Sequence, residues 1–270
     1  MDDIPLRAEF VEPNLSTRWL ARPFRYLPQT HSTNEILKGL LAEGTAVHGM
    51  TVLADYQQKG RGRLGRTWQA PAGTSLLLSM LFSPDWPGEQ AQWLTMIGAV
   101  AGAEAVQAVC GLHVGIKWPN DLMLNVAGRW HKVAGLLLDG FFDGNGRLCH
   151  AVLGMGINVN IAPADLPDAV TPPVSLMMAA GRPVSRYALL LSLLTRLEAL
   201  YDLAATGTSP YALWQARLIN LGQETAVTFP NGRVLRGKTI GTTPSGALLL
   251  QEPTGQVYTI AGGEVTLREK

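Results

Sequence analysis

The chain has 270 residues, 47% of them hydrophobic, and a formal charge of +1 at neutral pH. That is enough apolar material for one large core and a small one, which excludes a disordered chain, and near-neutrality excludes a chain-wide nucleic-acid footprint, so any cationic site must be local. The N-terminus carries no apolar leader, no uninterrupted apolar run approaches the ~18 residues of a membrane span, and Cys110 and Cys149 match no metal spacing and read as buried thiols of a cytoplasmic protein.

Up to Pro28 a proline-rich lead-in offers one short strand, around Phe24 to Leu27. In HSTNEILKGLLAEG, Ser32 precedes Glu35 at capping-box spacing, and Ile36, Leu37, Leu40 and Leu41 repeat at helical spacing, which predicts a helix from about Thr33. Its first turn offers backbone N–H groups and the positive end of the dipole to an anionic or strongly hydrogen-bonding ligand. The β-like run Thr51 to Ala54 leads into DYQQKGRGRLGRTW, where Gly60, Gly62 and Gly65 alternate with Arg61, Arg63 and Arg66. Glycines let backbone N–H groups approach a ligand and arginines present planar donors to carboxylate or phosphate, so this is an anion-gripping loop. The same glycines spell GxGxxG. Pro71 and Gly73 lead into another strand, however, where a dinucleotide turn would open a helix, and the HRD, DFG and GK[ST] segments of kinases and P-loops are missing.

Thr74 to Phe82 reads as a buried strand and Glu89 to Cys110 as a long packing helix. A strand from His113 to Lys117 stops at Trp118-Pro119 and resumes from Asp121 to Asn125, which puts Lys117, Asn120 and Asp121 at an interruption. Lys132 to Phe142 and Leu148 to Val159 flank the turn DGNGR as a hairpin. Pro183 to Thr206 is an amphipathic helix with its leucines on one side, and Ser209 to Ile219 is predicted as another. Beyond Leu221, short β-rich pieces separated by PNG, TPSG, EPTG and AGG turns suggest a small barrel, with a boundary near Asn220.

Taken in order, Ser32-Thr33-Asn34, the stretch from Gln57 through GRGRLGR to Arg66, KWPND from Lys117 to Asp121, Lys132-Val133-Ala134-Gly135, and GMGINVN ending at Asn160 resemble the biotin protein ligases. Bifunctional relatives carry an N-terminal DNA-binding domain; only about thirty residues precede STN here, so the likeness is to the monofunctional type. The resemblance implies an α/β (α+β) fold, a mixed and largely antiparallel sheet flanked by helices of the class II synthetase kind, with a C-terminal SH3-like β-barrel. Residues 1–220 would form the catalytic domain and residues 221–270 the barrel.

The resemblance further implies that biotin and ATP give biotinyl-adenylate and pyrophosphate, and that a lysine of a biotin carboxyl carrier protein domain then attacks the adenylate. Two anions approach only where fixed cations lie. Lys132 would be the central electrostatic catalyst, with Arg63 and Asp121 also catalytic and Arg61, Arg66 and Lys117 as further cations. Ser32, Thr33, Asn34 and Gln57 look like a clamp for the ureido ring, whose donors and acceptors hydroxyls and amides can match without charge. Gly60, Arg61, Gly62 and Arg63 would close over the ligand, ordered by it. Trp68 would cover the adenosine side, Asn120 and Asn158 would hold polar edges, and Gly135 completes the lysine motif. ATP would bring Mg²⁺, for which Asp121 is the protein candidate; aligning or deprotonating the acceptor amine, or a structural role, suits Asp121 equally. The histidines lack metal-ligand spacing, so no protein-built metal site is expected. No nucleic-acid or membrane partner is expected, and a homodimer is left open. The alternatives are a lipoate or octanoate protein ligase of the same architecture, and a non-catalytic biotin-sensing regulator.

Overall fold

The computed structural model describes residues 4–267. The lead-in forms a helical turn, α1 (Ala8–Val11), and a 3-10 turn at Glu12–Asn14 before the first strand, β1 (Phe24–Thr30). Leu6, Val11, Leu15 and Leu20 sink from it into the main core. Helix α2 (Thr33–Ala42), β2 (Thr51–Gln57), a two-stranded ribbon of β3 (Gly60–Arg61) and β4 (Thr67–Trp68), β5 (Ser75–Phe82) and a short β6 (Trp86–Pro87) follow. After α3 (Gln92–Cys110) come β7 (Val114–Lys117), β8 (Asp121–Val126), β9 (Arg129–Phe142) and β10 (Arg147–Asn158).

These strands make one sheet in the order β1-β2-β5-β10-β9-β8-β7, with β6 beside β10. β1 pairs parallel to β2, and the other neighbours are antiparallel. The unbroken apolar run of β5 is explained by its position, because every residue from Ser75 to Phe82 is buried between helices on both faces. On one face α2 covers a small cluster of Leu37, Val52, Leu81 and Val152. On the other lie α3 and α5 (Arg186–Ala205), with the short α4 (Leu176–Ala180) just before α5 in the chain. Gly98 and Gly102 let α3 approach closely: a Cβ on Gly98 would stand 2.7 Å from Leu136 Cδ2, and one on Gly102 2.8 Å from Leu122 Cδ1. By length and composition the helical stretch Gly88–Cys110 could cross a membrane, yet 67% of its most apolar window is buried inside this fold, as befits a core helix.

Three expectations need correction. The helix predicted from Ser209 to Ile219 is only α6 (Tyr211–Gln215), because the chain beyond it pairs with the edge of the sheet: Ile116 N–H donates to Arg217 O and Ile219 N–H to Ile116 O. The thiols are half-buried rather than buried, Cys110 at the end of α3 and Cys149 beside the irregularity where β10 shifts register against β9. Ser32 is the N-cap of α2 but makes no side-chain capping bond, and the Glu35 carboxylate, instead of reaching back to the Ser32 N–H, turns to Lys38 and Arg61.

The C-terminal part is an antiparallel five-stranded sheet ordered β14-β13-β12-β11-β15, from β11 (Glu224–Thr228), β12 (Val234–Thr242), β13 (Leu248–Gln251), β14 (Val257–Ile260) and β15 (Glu264–Leu267). Val227, Leu235, Leu248, Leu250, Ile260 and Val265 fill its interior.

The lead-in is tied to α5 by the carboxylates of Asp202 and of Glu198, the more deeply buried of the two. Glu198, only 6% exposed, accepts the backbone N–H groups of Arg18, Trp19 and Leu20 at 2.8–3.1 Å. Such bonds to a buried charge are strong because the donors have no water to turn to. Glu198→Gln exchanges one acceptor oxygen for an NH₂ that faces other donors, and we expect a loss of roughly 2 kcal/mol in urea unfolding with an unchanged m-value.

His48 lies against the same segment, stacked on Trp19 at 4.3 Å, and its Nδ1 accepts the Ser83 N–H at 3.0 Å. That bond requires an unprotonated Nδ1. Burial pushes its pKa below the ordinary 6.5, opposed by the Asp202 charge. A His depressed in the folded state takes up its proton more readily when unfolded, so its contribution is complete above the ordinary value and is lost as pH falls through the folded one. The Tm should therefore drop as pH falls below the ordinary 6.5, and drop less in His48→Gln, as calorimetry would show.

Candidate active site

The site is built on a floor without side chains. In the β9–β10 register Gly135 faces Gly156, and Gly154 lies two residues back along β10. A Cβ on Gly156 would stand 2.6 Å from the Trp68 indole, and one on Gly135 3.1 Å from the same ring and 3.2 Å from Lys132 Nζ. Trp68 and Lys132 therefore lie over bare backbone, with the ammonium 5.5 Å from the ring centroid, a cation–π distance. Above this floor is a cavity of about 650 Å³.

At one end the first turn of α2 supplies a polar, uncharged wall. Gln57 Oε1 accepts the Thr33 N–H at 2.8 Å, and the Thr33 hydroxyl lies 3.1 Å from the same oxygen and 2.6 Å from Ser79 Oγ. Ser79 donates to Asn34 Oδ1, and Asn34 Nδ2 donates to Asp139 Oδ2 at 3.2 Å. Gly154 makes room for this, since a Cβ there would fall 2.2 Å from Asn34 Oδ1. Ser32, Thr33 and Asn34 are almost wholly buried, so their polar atoms face the cavity and one another rather than bulk water.

The arginine loop folds as the ribbon β3–β4 around a 3-10 turn at Arg63–Gly65, with Leu64 at a φ of 54° and exposed at its tip. Gly60 stands outside the cavity lining; its role is steric, since a Cβ there would sit 2.3 Å from Trp68 O across the ribbon. Arg61 pairs with Glu35, whose carboxyl is held below its usual range first by the Lys38 hydrogen bond and further by Arg61. Arg63 Nη1 donates to Asn120 Oδ1 at 3.1 Å, and Asn120 is fixed in turn by donating to Leu136 O at 2.6 Å.

The break in KWPND is a cis Trp118-Pro119 peptide between β7 and β8. Trp118 is buried, its N–H donating to Asn220 Oδ1 at 2.7 Å and its indole N–H to Gly246 O of the C-terminal sheet at 2.7 Å. Asp121 Oδ1 meets Lys132 Nζ at 2.7 Å, and Lys117 Nζ donates to Thr171 Oγ1 at 2.9 Å. Asn158 donates to Val174 O at 3.2 Å, holding the segment Pro167 to Pro173 along the cavity.

Ser32, Thr33, Asn34, Gln57, Arg61, Gly62, Arg63, Arg66, Trp68, Lys117, Asn120, Asp121, Lys132, Gly135 and Asn158 thus line one cavity, and Gly60 does not. Sequence reasoning missed Ser79, Asp139, Gly154 and Gly156. Signals for them existed: a lone hydroxyl inside LLLSMLF, a lone acid inside LLLDGFF, and the alternating glycines of GMGIN.

A charge-neutral polar wall, cations and a glycine-cleared floor share one cavity, which marks a small-molecule-binding protein of mixed α/β fold. Residues 26–158 match the biotin/lipoate A/B protein ligase family, and residues 221–268 match the biotin protein ligase C terminal domain. The biotin–[acetyl-CoA-carboxylase] ligase of Mycobacterium tuberculosis is 30% identical over 273 residues, covering 99% of this chain and 96% of that protein. The bifunctional ligase/repressor of Bacillus subtilis is 33% identical over 218 residues, 80% of this chain, and the alignment spans 65% of that protein's length. The biotin protein ligase of Aquifex aeolicus, solved in complex with biotin and ATP, superposes with a TM-score of 0.72 at 26% identity over 91% of this chain and 98% of that one. The chain belongs to the biotin/lipoate protein ligase family.

Gly154→Ala should displace Asn34 without opening the sheet. With biotin as the probe, we expect about tenfold weaker binding by calorimetry and an unchanged far-UV spectrum.

Proposed function

We propose that this protein is a biotin protein ligase. It condenses biotin with ATP to biotinyl-5'-adenylate, releasing pyrophosphate, and passes biotin to a lysine of a biotin carboxyl carrier protein domain. The observation that carries this reading is one cavity lined by Ser32, Thr33, Asn34 and Gln57 as well as by Lys117, Lys132 and Arg63. A cyclic urea offers N–H groups and a carbonyl that such a neutral wall can pair; the acyl chain of lipoate or octanoate would leave those buried groups unpaired, which a site built for hydrogen bonds rejects strongly.

For the first step, Lys132 lies where a carboxylate and an α-phosphate would meet, and its charge offsets their repulsion as the mixed anhydride forms. Arg63 and Arg61 on the ribbon cover the product from water and stray amines, ordered further by the ligand. The Trp68 indole N–H, buried with no partner among the described residues, is a donor for the nucleotide side, where Asn120 and Asn158 hold polar edges. Among the described residues no group of three His, Cys, Asp or Glu could cage a metal. The lining carboxylate Asp121 would be the protein ligand for a Mg²⁺ arriving with the nucleotide, which would neutralise phosphate charge. In the second step the acceptor amine must lose a proton, which costs about 4.6 kcal/mol at neutral pH for an ordinary lysine. Asp121 orients that amine, a role that its position beside Lys132 supports.

Incubation with labelled biotin, MgATP and an apo carrier domain tests the reading. The expected result is biotin-dependent pyrophosphate release and labelling of one carrier lysine. Lys132→Gln should cut adenylate formation about a hundredfold or more while biotin still binds. Pyrophosphate release indifferent to biotin, or equal use of octanoate, would overturn it.

A further inference from the structure

The wall formed by α2 ends on a carboxylate that no part of the proposed chemistry uses. Asp139 sits on β9, its side chain 23% exposed, 3.7 Å from Lys38 Nζ and 3.8 Å from Arg61 Nη1. Both cations are shared with Glu35. Behind it Asn34 is 4% exposed and Ser79 fully buried, so water does not compete for their hydrogen bonds.

Counting protons along this chain fixes its direction. An ionised carboxylate only accepts, so the Asn34 amide must turn its NH₂ to Asp139 Oδ2 and its oxygen the other way. That oxygen also only accepts, and it takes the single proton of Ser79. Ser79 and Thr33 hydroxyls stand 2.6 Å apart, a contact that needs a proton between them, and only Thr33 still has one. The competing partner, Gln57 Oε1, is farther from the Thr33 hydroxyl at 3.1 Å and already receives the Thr33 N–H at 2.8 Å. Thr33, which lines the cavity, is left with lone pairs alone to offer a ligand.

We propose that Asp139 is a specificity-determining positioning residue: through Asn34 and Ser79 it forces Thr33 to face the bound ring as an acceptor, so that the site selects a ligand presenting an N–H there. It touches no substrate itself. This deepens the biotin-ligase reading and rests on it. Without the carboxylate, Asn34 can turn over, the proton order can reverse, and Thr33 can donate as readily as accept. The preference for an N–H donor then has no source.

The test is the rate of biotin-dependent ATP–pyrophosphate exchange by the full chain, with biotin and with two analogues methylated at one or the other ureido nitrogen. Asp139→Ala should raise KM for biotin about tenfold or more, change kcat by less than about threefold, and leave KM for one of the two analogues nearly as in the parent, collapsing the discrimination. Asp139→Asn, which keeps an acceptor oxygen, should retain most of it. Ser79→Ala breaks the same chain one link on and should give the same collapse with no further loss in the double variant, which serves if Asp139→Ala does not fold. An unchanged KM for biotin, equal rises for biotin and both analogues, or additive losses in the double variant would overturn the proposal alone. Absence of any biotin-dependent exchange in the parent protein would remove the underlying reading as well.

Discussion

The pairing of β9 with β10 is the constraint on which the site depends. Their register sets Gly135 against Gly156 and leaves Gly154 under Asn34, so one stretch of bare backbone receives an indole, an ammonium group and an amide. A slip of a single residue would exchange the two faces of each strand and raise side chains into the space those groups occupy. The register is held by burial: Leu136, Leu153 and Met155 pack against α3, while Val152 packs under α2. The site is therefore as rigid as the core beneath it.

Every cation at the cavity whose partner is seen has a provisional one. Lys132 rests on Asp121, Arg61 on Glu35, Arg63 on the Asn120 carbonyl, and Lys117 on a threonine hydroxyl. Positive charges gathered in a half-buried space repel one another, and these contacts offset that cost until an anion arrives. The two ion pairs can break without stranding a charge, since their side chains remain 18–49% exposed, whereas Lys117 is buried. Ligand binding can thus exchange partners instead of creating order from nothing.

Much of this was legible in the sequence because local chemistry and tertiary role coincide. Arginines among glycines cannot pack, and they lie at the cavity; the interrupted strand at KWPND and the hairpin at DGNGR are where their punctuation puts them. The failures are places where a distant partner overrides a local signal. Ser32 and Glu35 have the spacing of a capping box, but Lys38 and Arg61, the latter brought in by another strand, take the carboxylate that would have closed it. The residues after Gln215 have helical composition, but the unpaired edge of β7 captures them as a strand-like segment. Asp139 could not be assigned a role from sequence because its meaning lies in a chain of hydrogen bonds running through two other elements, α2 and β5.

The indole of Trp118 reaches from the interruption beside Asn120 to the turn carrying Gly246, while Asn220, in the connecting segment, holds the same residue by its backbone. Leu218 in that segment is already stitched to the sheet edge. A protease that nicked the polypeptide there would not release a passenger from an intact enzyme. It would loosen the frame around the Asn120 end of the cavity, so the connector is part of the machinery rather than a tether.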